Sequence, residues 1–127
     1  MALALDTNAL SAFADGDPKL LRAMGTESEL ALPTIVLGEY FYGIRQSRLR
    51  AAYESWIEAN LVFFEVLAVG RETAARYSEI RHELKAAGRP IPGNDLWIAA
   101  IARQHGLALL TRDRHFQAVH RLQVRSW

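Results

Sequence analysis

The chain has 127 residues, of which 50% are hydrophobic and 23% are charged, with a formal net charge of +1 and no cysteine. This length fits one domain with a sizeable core, the lack of cysteine excludes disulfides, thiolate zinc sites and cysteine nucleophiles, and the balanced charge gives no general signature of polyanion binding. No apolar run approaches the ~20 residues that cross a bilayer, and Met1 opens onto a strand-like run without the basic head of a signal peptide. We therefore expect one domain over residues 1–127, no membrane association and a cytoplasmic location.

Apolar runs and turn residues alternate along the chain in the manner of strands joined by helices. In chain order, the pattern predicts a strand over 2–5, a short helix from 6–8 to about 14, a helix over 18–24, a strand over 29–32, a helix over 34–46, a helix capped by Ser47, a strand over 63–69, a helix over 70–87, a helix over 95–104, a strand over 107–111, a helical turn over 112–119 and an edge strand over 121–126. Such alternation indicates an α/β fold with a mostly parallel central sheet of about five strands and helices on both faces.

Four acidic residues stand beside or within apolar segments, where a carboxylate is costly unless its charge is compensated. Asp6 follows the run 2–5, Asp113 follows the run 107–111 by two residues, Asp95 precedes the run 96–100, and Glu39 interrupts an apolar helix. Each aspartate has an ordinary interpretation as a helix or turn cap. Glu39 lies beyond the capping zone of its helix, and its ordinary interpretation is an exposed polar face.

The predicted topology allows these acids to converge. Asp6 and Asp113 come just past the carboxyl ends of predicted strands, where open parallel sheets bind ligands, and Asp95 starts a helix that opens at the same edge. Glu39 can reach that edge from an early turn of its helix. Their mutual repulsion would require a cation, and oxygen ligands without cysteine favour Mg²⁺ or Mn²⁺ over zinc.

At these positions the chain resembles PIN-domain ribonucleases, and more narrowly the VapC-type toxins of bacterial and archaeal toxin–antitoxin pairs. Four segments carry the resemblance in order: Leu5-Asp6-Thr7-Asn8, Glu39-Tyr40-Phe41-Tyr42-Gly43-Ile44, the segment 91–100 around Asn94-Asp95, and Thr111-Arg112-Asp113-Arg114-His115-Phe116. The resemblance spans almost the whole chain. Asp-Thr-Asn alone would be weak, whereas the Asn-Asp-x-Trp-Ile-Ala-Ala segment is specific.

The resemblance implies a metal-dependent endoribonuclease that leaves a 5′-phosphate, with Asp6, Glu39, Asp95 and Asp113 as the metal-site acids. It also implies hydrogen-bonding support for the acids from Thr7, Asn8 and Thr111. We expect Asp6 and Asp95 to be the most direct ligands of Mg²⁺ or Mn²⁺, with Glu39 and Asp113 acting partly through water. A water activated by one or two bound ions would attack the phosphate, so no side-chain nucleophile is required.

Further residues are candidates for contact with RNA or with protein partners. Arg112 and Arg114 flank Asp113 and His115 adjoins it, so all three are candidate RNA contacts, with solvated surface residues as the alternative. Tyr40, Phe41 and Tyr42 are consecutive on one helix and cannot all face one core. At least one should therefore form exposed apolar surface of the kind that marks a partner site. The resemblance suggests a homodimer and a cognate antitoxin.

Two other functions use related features. A receiver-like phospho-acceptor signalling domain also places acids and Mg²⁺ on a doubly wound sheet. It needs a paired acid after the first strand and a lysine after the last core strand, whereas Asp6 stands alone and neither Lys19 nor Lys85 follows a strand. A catalytically inactive, RNA-binding PIN module would be indicated by loss of acids, and none is missing.

Overall fold

The computed structural model describes residues 2–27 and 29–127. Its strands are β1 (Leu3–Leu5), β2 (Leu30–Pro33), β3 (Phe64–Leu67), β4 (Ala108–Leu110) and β5 (Val124–Arg125). They form a five-stranded sheet with the order β3-β2-β1-β4-β5, in which each neighbouring pair is parallel. The predicted α/β fold with a parallel sheet of about five strands is confirmed.

The helices follow the strands as the sequence pattern predicts. They are α1 (Thr7–Ala14), α2 (Pro18–Met24), α3 (Thr34–Arg45), α4 (Arg50–Asn60), α5 (Arg71–Ala86) and α6 (Gly93–His105), with short 3-10 helices at Leu61–Phe63 and Arg114–Ala118. Asp17 caps α2 by accepting a hydrogen bond from the Lys19 backbone N–H at 2.9 Å. The α6 helix ends at Gly106, whose φ of +64° is a left-handed conformation that glycine adopts without strain. None of these helices is long and apolar enough to cross a membrane.

The helices cover both faces of the sheet because successive crossovers run in opposite directions. Right-handed crossovers place α1 to α4, which lead from β1 through β2 to β3, on one face. By the same rule α5 and α6, which lead from β3 across the sheet to β4, lie on the other face, and these two helices pack closely against each other. The central strands therefore have no solvent-facing side, which explains why β1 and β4 are fully buried and continuously apolar.

The chain reverses its winding direction between β1 and β4. The connection from β1 leads towards β2 on one side, and the connection from β4 leads towards β5 on the other. Open α/β sheets bind ligands outside the carboxyl ends of the strands at such a switch point. Asp6 follows β1 directly, and Asp113 lies three residues after β4, so the fold brings both acids to this crevice.

Some predicted boundaries were wrong by a few residues. Ser47 does not cap α4. Its Oγ accepts a hydrogen bond from the Leu49 N–H at 3.0 Å and its carbonyl accepts one from Arg50, so it closes a turn and the helix begins at Arg50. The predicted strand over 121–126 has only two strand residues, and this edge strand pairs on one side only.

The prediction for the consecutive aromatic residues is confirmed: Tyr40 is 4% exposed, whereas Phe41 and Tyr42 are 43% and 67% exposed.

Candidate metal centre

Asp6 is the most deeply buried of the four acids and is fixed at both carboxylate oxygens. It is 4% exposed and caps α1, with Oδ1 accepting a hydrogen bond from the Ala9 backbone N–H at 2.9 Å. Oδ2 accepts a hydrogen bond from the Thr111 hydroxyl. Asp6 can therefore cap α1 and also belong to a metal site, because the capping hydrogen bond orients a carboxylate that lies at the switch point of the sheet.

Thr111 links Asp6 to the segment that carries Asp113. Its hydroxyl donates to Asp6 and accepts from the Asp113 backbone N–H at 2.9 Å. The Thr111 side chain is 1% exposed, so water does not compete for these hydrogen bonds. The Thr111 hydroxyl therefore links the loops that follow β1 and β4, in addition to the backbone hydrogen bond that the Asp6 N–H donates to the Leu110 carbonyl at 3.2 Å.

Asp95, Asp113 and His115 form a second cluster in the same crevice. One ligand atom from each lies within 4.8 Å of the others, and the His115 Nδ1 lies 3.0 Å from both the Asp95 Oδ2 and the Asp113 Oδ1. Asp113 begins the 3-10 helix by accepting a hydrogen bond from the His115 backbone N–H, which turns the imidazole back towards α6. Asp95 lies in the first turn of α6, where the helix dipole favours a carboxylate.

Glu39 lies in the second turn of α3 and is partly buried. Its Oε1 accepts a hydrogen bond from the Thr7 hydroxyl at 2.8 Å. Because Thr7 follows Asp6 directly, this hydrogen bond places Glu39 beside the loop that carries Asp6. Thr7 thus donates a hydrogen bond to Glu39 as Thr111 does to Asp6, and their support of a metal site stays a prediction.

The acids influence one another's protonation. Burial raises the pKa of Asp6 above its ordinary value, hydrogen bonds from Thr111 and Ala9 oppose that rise, and repulsion from Asp113 and Asp95 adds to it. Burial also raises the pKa of Asp95, against the His115 hydrogen bond and with repulsion from Asp113 and Glu39. The Asp95 hydrogen bond raises the pKa of His115. When it is protonated, the His115 imidazole compensates part of the negative charge of the acids.

These residues fit a divalent cation. Crowded carboxylates with raised pKa values gain most from a positive charge placed among them. Their oxygens suit Mg²⁺ and Mn²⁺, and the imidazole nitrogen of His115 is a further donor that suits Mn²⁺ better than Mg²⁺. The sequence did not indicate His115 as a candidate ligand, because no second histidine lies at metal-ligand spacing from it. Its partners are the aspartates Asp95 and Asp113. The only local signal was its position two residues after Asp113.

The remaining predicted residues differ in their surroundings. Asn8 is exposed and its side chain has no hydrogen-bond partner within 2–27 and 29–127, so its predicted support of the acids stays a prediction. Arg112 donates from Nε to the Trp127 carbonyl at 2.8 Å and stacks on the Trp127 ring at 4.6 Å, so much of its guanidinium is already engaged. Arg114 is exposed next to Asp113, and among the described residues it has no ion-pair partner.

Comparison with known proteins agrees with this architecture. A sequence model of the PIN domain matches residues 3–122. Ribonuclease VapC2 of Rickettsia felis is 28% identical over 132 residues, covering 100% of this chain and 98% of that protein. The tRNA(fMet)-specific endonuclease VapC of Shigella flexneri is 29% identical over 102 residues, covering 80% of this chain and 77% of that protein. The structure of VapBC2 from R. felis bound to a promoter DNA fragment aligns with a TM-score of 0.87 at 27% identity, covering 100% of this chain and 99% of that one.

The chain belongs to the PIN-domain family. The relatives that match over most or all of its length are ribonucleases named VapC, and this is the group within the family to which it is assigned. The receiver-like alternative is not favoured, since β4 leads to Thr111-Arg112-Asp113 instead of a lysine. An inactive RNA-binding module is not favoured either, because all four acids are retained.

Proposed function

We propose that this chain is a divalent-metal-dependent endoribonuclease and the toxin of a toxin–antitoxin pair, with Asp6, Glu39, Asp95 and Asp113 as its metal-site acids. The observation that carries the proposal is the meeting of acids from separate segments at the switch point of the sheet. Asp95 and Asp113 are within 4.8 Å of each other's ligand atoms, and Thr111 joins Asp6 to the Asp113 backbone.

Each residue has a defined task in this proposal. Asp6 and Asp95 would hold the ion most directly, and Glu39 and Asp113 would act partly through water. When bound, Mg²⁺ or Mn²⁺ lowers the pKa of a coordinated water and stabilises negative charge on the phosphate. Thr7 and Thr111 hold Glu39 and Asp6 in orientation, in the way that neighbouring hydrogen bonds orient metal ligands elsewhere. Arg114, exposed beside Asp113, contacts the RNA backbone.

The partners are inferred from the relatives. The Rickettsia felis neighbour is a VapBC2 complex with promoter DNA. We infer that this chain is likewise inhibited by a cognate antitoxin, forms a homodimer and acts on RNA in the cytoplasm. Exposed Phe41 and Tyr42 on α3 supply apolar surface of the kind that such contacts bury. The substrate of the Shigella flexneri relative is a transfer RNA by its name, which makes transfer RNA the first substrate to test.

Cleavage of RNA by the purified protein tests the proposal. Wild-type protein should cleave a transfer RNA pool with Mg²⁺ or Mn²⁺, and a chelator should stop the reaction. Asp6→Asn and Asp95→Asn should each abolish cleavage and growth arrest while leaving the circular dichroism spectrum unchanged. Asp17→Asn is the matched control, because Asp17 caps α2 and asparagine caps helices equally well. Full Mg²⁺-dependent cleavage by both site variants would show that the site is wrongly assigned.

A further inference from the structure

The tightest grouping of three potential metal ligands in the described part of the chain includes a histidine. Asp95, Asp113 and His115 each offer one atom, and these atoms all lie within 4.8 Å of one another. Asp95 lies in the first turn of α6, whereas Asp113 and His115 belong to the segment that follows β4 and opens the second 3-10 helix. The group therefore consists of two carboxylate oxygens and an imidazole nitrogen, brought together from separate elements.

The spacing of these three atoms matches that of ligands around one ion. The His115 Nδ1 lies 3.0 Å from the Asp95 Oδ2 and 3.0 Å from the Asp113 Oδ1. In an octahedral site with bonds of about 2.1 Å, ligand atoms at neighbouring corners lie about 3.0 Å apart and those at opposite corners about 4.2 Å apart. The imidazole nitrogen is thus spaced from both carboxylates as a neighbouring ligand of the same ion would be.

The local structure holds the His115 ring with one nitrogen towards the acids and the other free. The Asp113 Oδ1 accepts a hydrogen bond from the His115 backbone N–H at 2.9 Å, which fixes the turn between the two residues. The His115 side chain is 51% exposed, and its Nε2 has no partner among the described residues. Histidine ligands bind a metal through one ring nitrogen while the other donates its hydrogen, and here water can accept that hydrogen from Nε2. Nδ1 then keeps a lone pair for an ion between the two carboxylates.

A nitrogen ligand changes which ion the centre prefers. Mg²⁺ is a hard cation that takes oxygen ligands and loses its water reluctantly. Carboxylates suit both Mg²⁺ and Mn²⁺, whereas imidazole is a ligand for transition metals. A centre built from acids alone would therefore discriminate little between the two ions, and a centre that includes His115 gains additional affinity for Mn²⁺.

We propose that His115 is a ligand of the divalent ion, beside Asp95 and Asp113, and that it makes the centre prefer Mn²⁺ to Mg²⁺. The inference rests on the metal-dependent function proposed above, and it adds a histidine to the set of four acids. It replaces the expectation that His115 contacts RNA with a role at the metal itself. The preference for Mn²⁺ is a property of this chain's own residue at position 115.

The same distances would arise if the imidazole only formed hydrogen bonds to the two acids and compensated their charge. His115→Gln distinguishes the two roles, because it keeps a polar side chain and removes the ring nitrogen. If His115 is a ligand, Mn²⁺ affinity should fall at least as far as the 10- to 100-fold that losing an outer-shell partner costs, about 10-fold or more. Mg²⁺ affinity should change much less. If His115 only compensated charge, its removal would leave the acids more attractive to a cation, and both ions would bind at least as tightly as before.

Pulsed electron paramagnetic resonance of bound Mn²⁺ identifies the ligand directly. A coordinated imidazole nitrogen gives a ¹⁴N modulation that water and carboxylate ligands lack. We expect this modulation in the wild-type protein loaded with Mn²⁺ without RNA, and we expect His115→Gln to lose it. His105→Gln is the matched control, because His105 ends α6 at the opposite end from Asp95. This control should keep the ¹⁴N modulation and the wild-type affinities for both ions.

The possible results separate this inference from the proposed function. Mn²⁺ bound by wild-type protein without ¹⁴N modulation would overturn the inference, as would unchanged or tighter Mn²⁺ binding by His115→Gln, while metal-dependent cleavage could still uphold the ribonuclease. A His115→Gln variant that loses RNA affinity and keeps its Mn²⁺ affinity would also overturn it and would make His115 an RNA contact. If Mn²⁺ binds with the nitrogen modulation and no RNA is cleaved, the inference holds and the proposed ribonuclease function fails.

Discussion

Thr111 is the residue on which the geometry of the centre depends most. Its buried hydroxyl donates to the Asp6 carboxylate and accepts from the backbone of Asp113. Removing a donor to a buried carboxylate leaves that acceptor unsatisfied, and the loss of orientation weakens metal binding. Residues that touch no substrate can thus control a metal site through their hydrogen bonds.

Thr111→Val tests this dependence with little change in volume. We expect metal affinity and cleavage to fall about 10- to 100-fold, which is the usual effect of losing a hydrogen bond that orients a ligand. Stability should fall by about 1–3 kcal/mol because Asp6 loses a partner in a buried site. Isothermal titration with Mn²⁺ and thermal unfolding measure the two effects.

Thr73→Val is the control for Thr111→Val. Thr73 is equally buried and its hydroxyl also makes two hydrogen bonds, to Gln104 and from Gly70, at the start of α5. It should lose stability without losing metal affinity. Equal loss of metal affinity in both variants would mean that the Thr111 effect reflects general destabilisation.

The raised pKa values of the centre predict an unusual dependence of stability on pH in the metal-free protein. Burial raises the pKa of Asp6 above 3.8, and the Asp95 hydrogen bond raises that of His115 above 6.5. Between each ordinary value and the raised one, the folded protein binds more protons than the unfolded chain, so the free energy of unfolding falls as pH rises. In chelator, Tm should therefore decline as pH rises from about 4, and again above about 6.5. Asp6→Asn should weaken the first decline, because the raised pKa of Asp95 supplies the rest of it, and His115→Gln should abolish the second. Parallel Tm profiles for wild type and both variants would contradict the assigned protonation.

At the scale of elements, the sequence predicted what local pattern determines. β1 and β4 were recognisable as continuous apolar runs, and Asp17-Pro18 and Gly106 marked helix ends through their backbone chemistry. Ser47 was misjudged, because a serine that closes a turn has the same local pattern as one that caps a helix. The four acids could be proposed from the sequence because each is out of place in its own segment.

Long-range contacts in the site could not be read from local pattern. His115 meets Asp95 only because the 3-10 helix folds back over the start of α6. Arg112 is held by Trp127, which reaches it only after β5 has joined the sheet beside β4. The buried hydroxyl of Tyr40, which has no hydrogen-bond partner among the described residues, was likewise hidden, since an aromatic residue on a buried helix face predicts packing and says nothing about its hydroxyl group.

At the scale of the whole molecule, the acidic crevice contrasts with a surface of balanced charge. The net charge is only +1, yet Asp95 and Asp113 meet at one edge of the sheet and Thr111 links Asp6 to them. Without metal, the cluster attracts any cation that can reach it, including one from a protein inhibitor. Inhibitor and metal would then exclude each other, because both satisfy the same carboxylates.

An antitoxin that inserts an arginine or lysine into the crevice should therefore compete with the metal. Raising Mn²⁺ or Mg²⁺ should weaken inhibition in proportion to occupancy of the metal site, and Glu39→Gln should weaken the complex by removing one carboxylate. Glu29→Gln is the control, because Glu29 is exposed and precedes β2 at the amino edge of the sheet. Inhibition constants measured across a metal titration, with affinities from surface plasmon resonance, decide the matter. An inhibition constant that does not depend on metal, together with unchanged affinity for Glu39→Gln, would place the inhibitor on the RNA-binding surface alone.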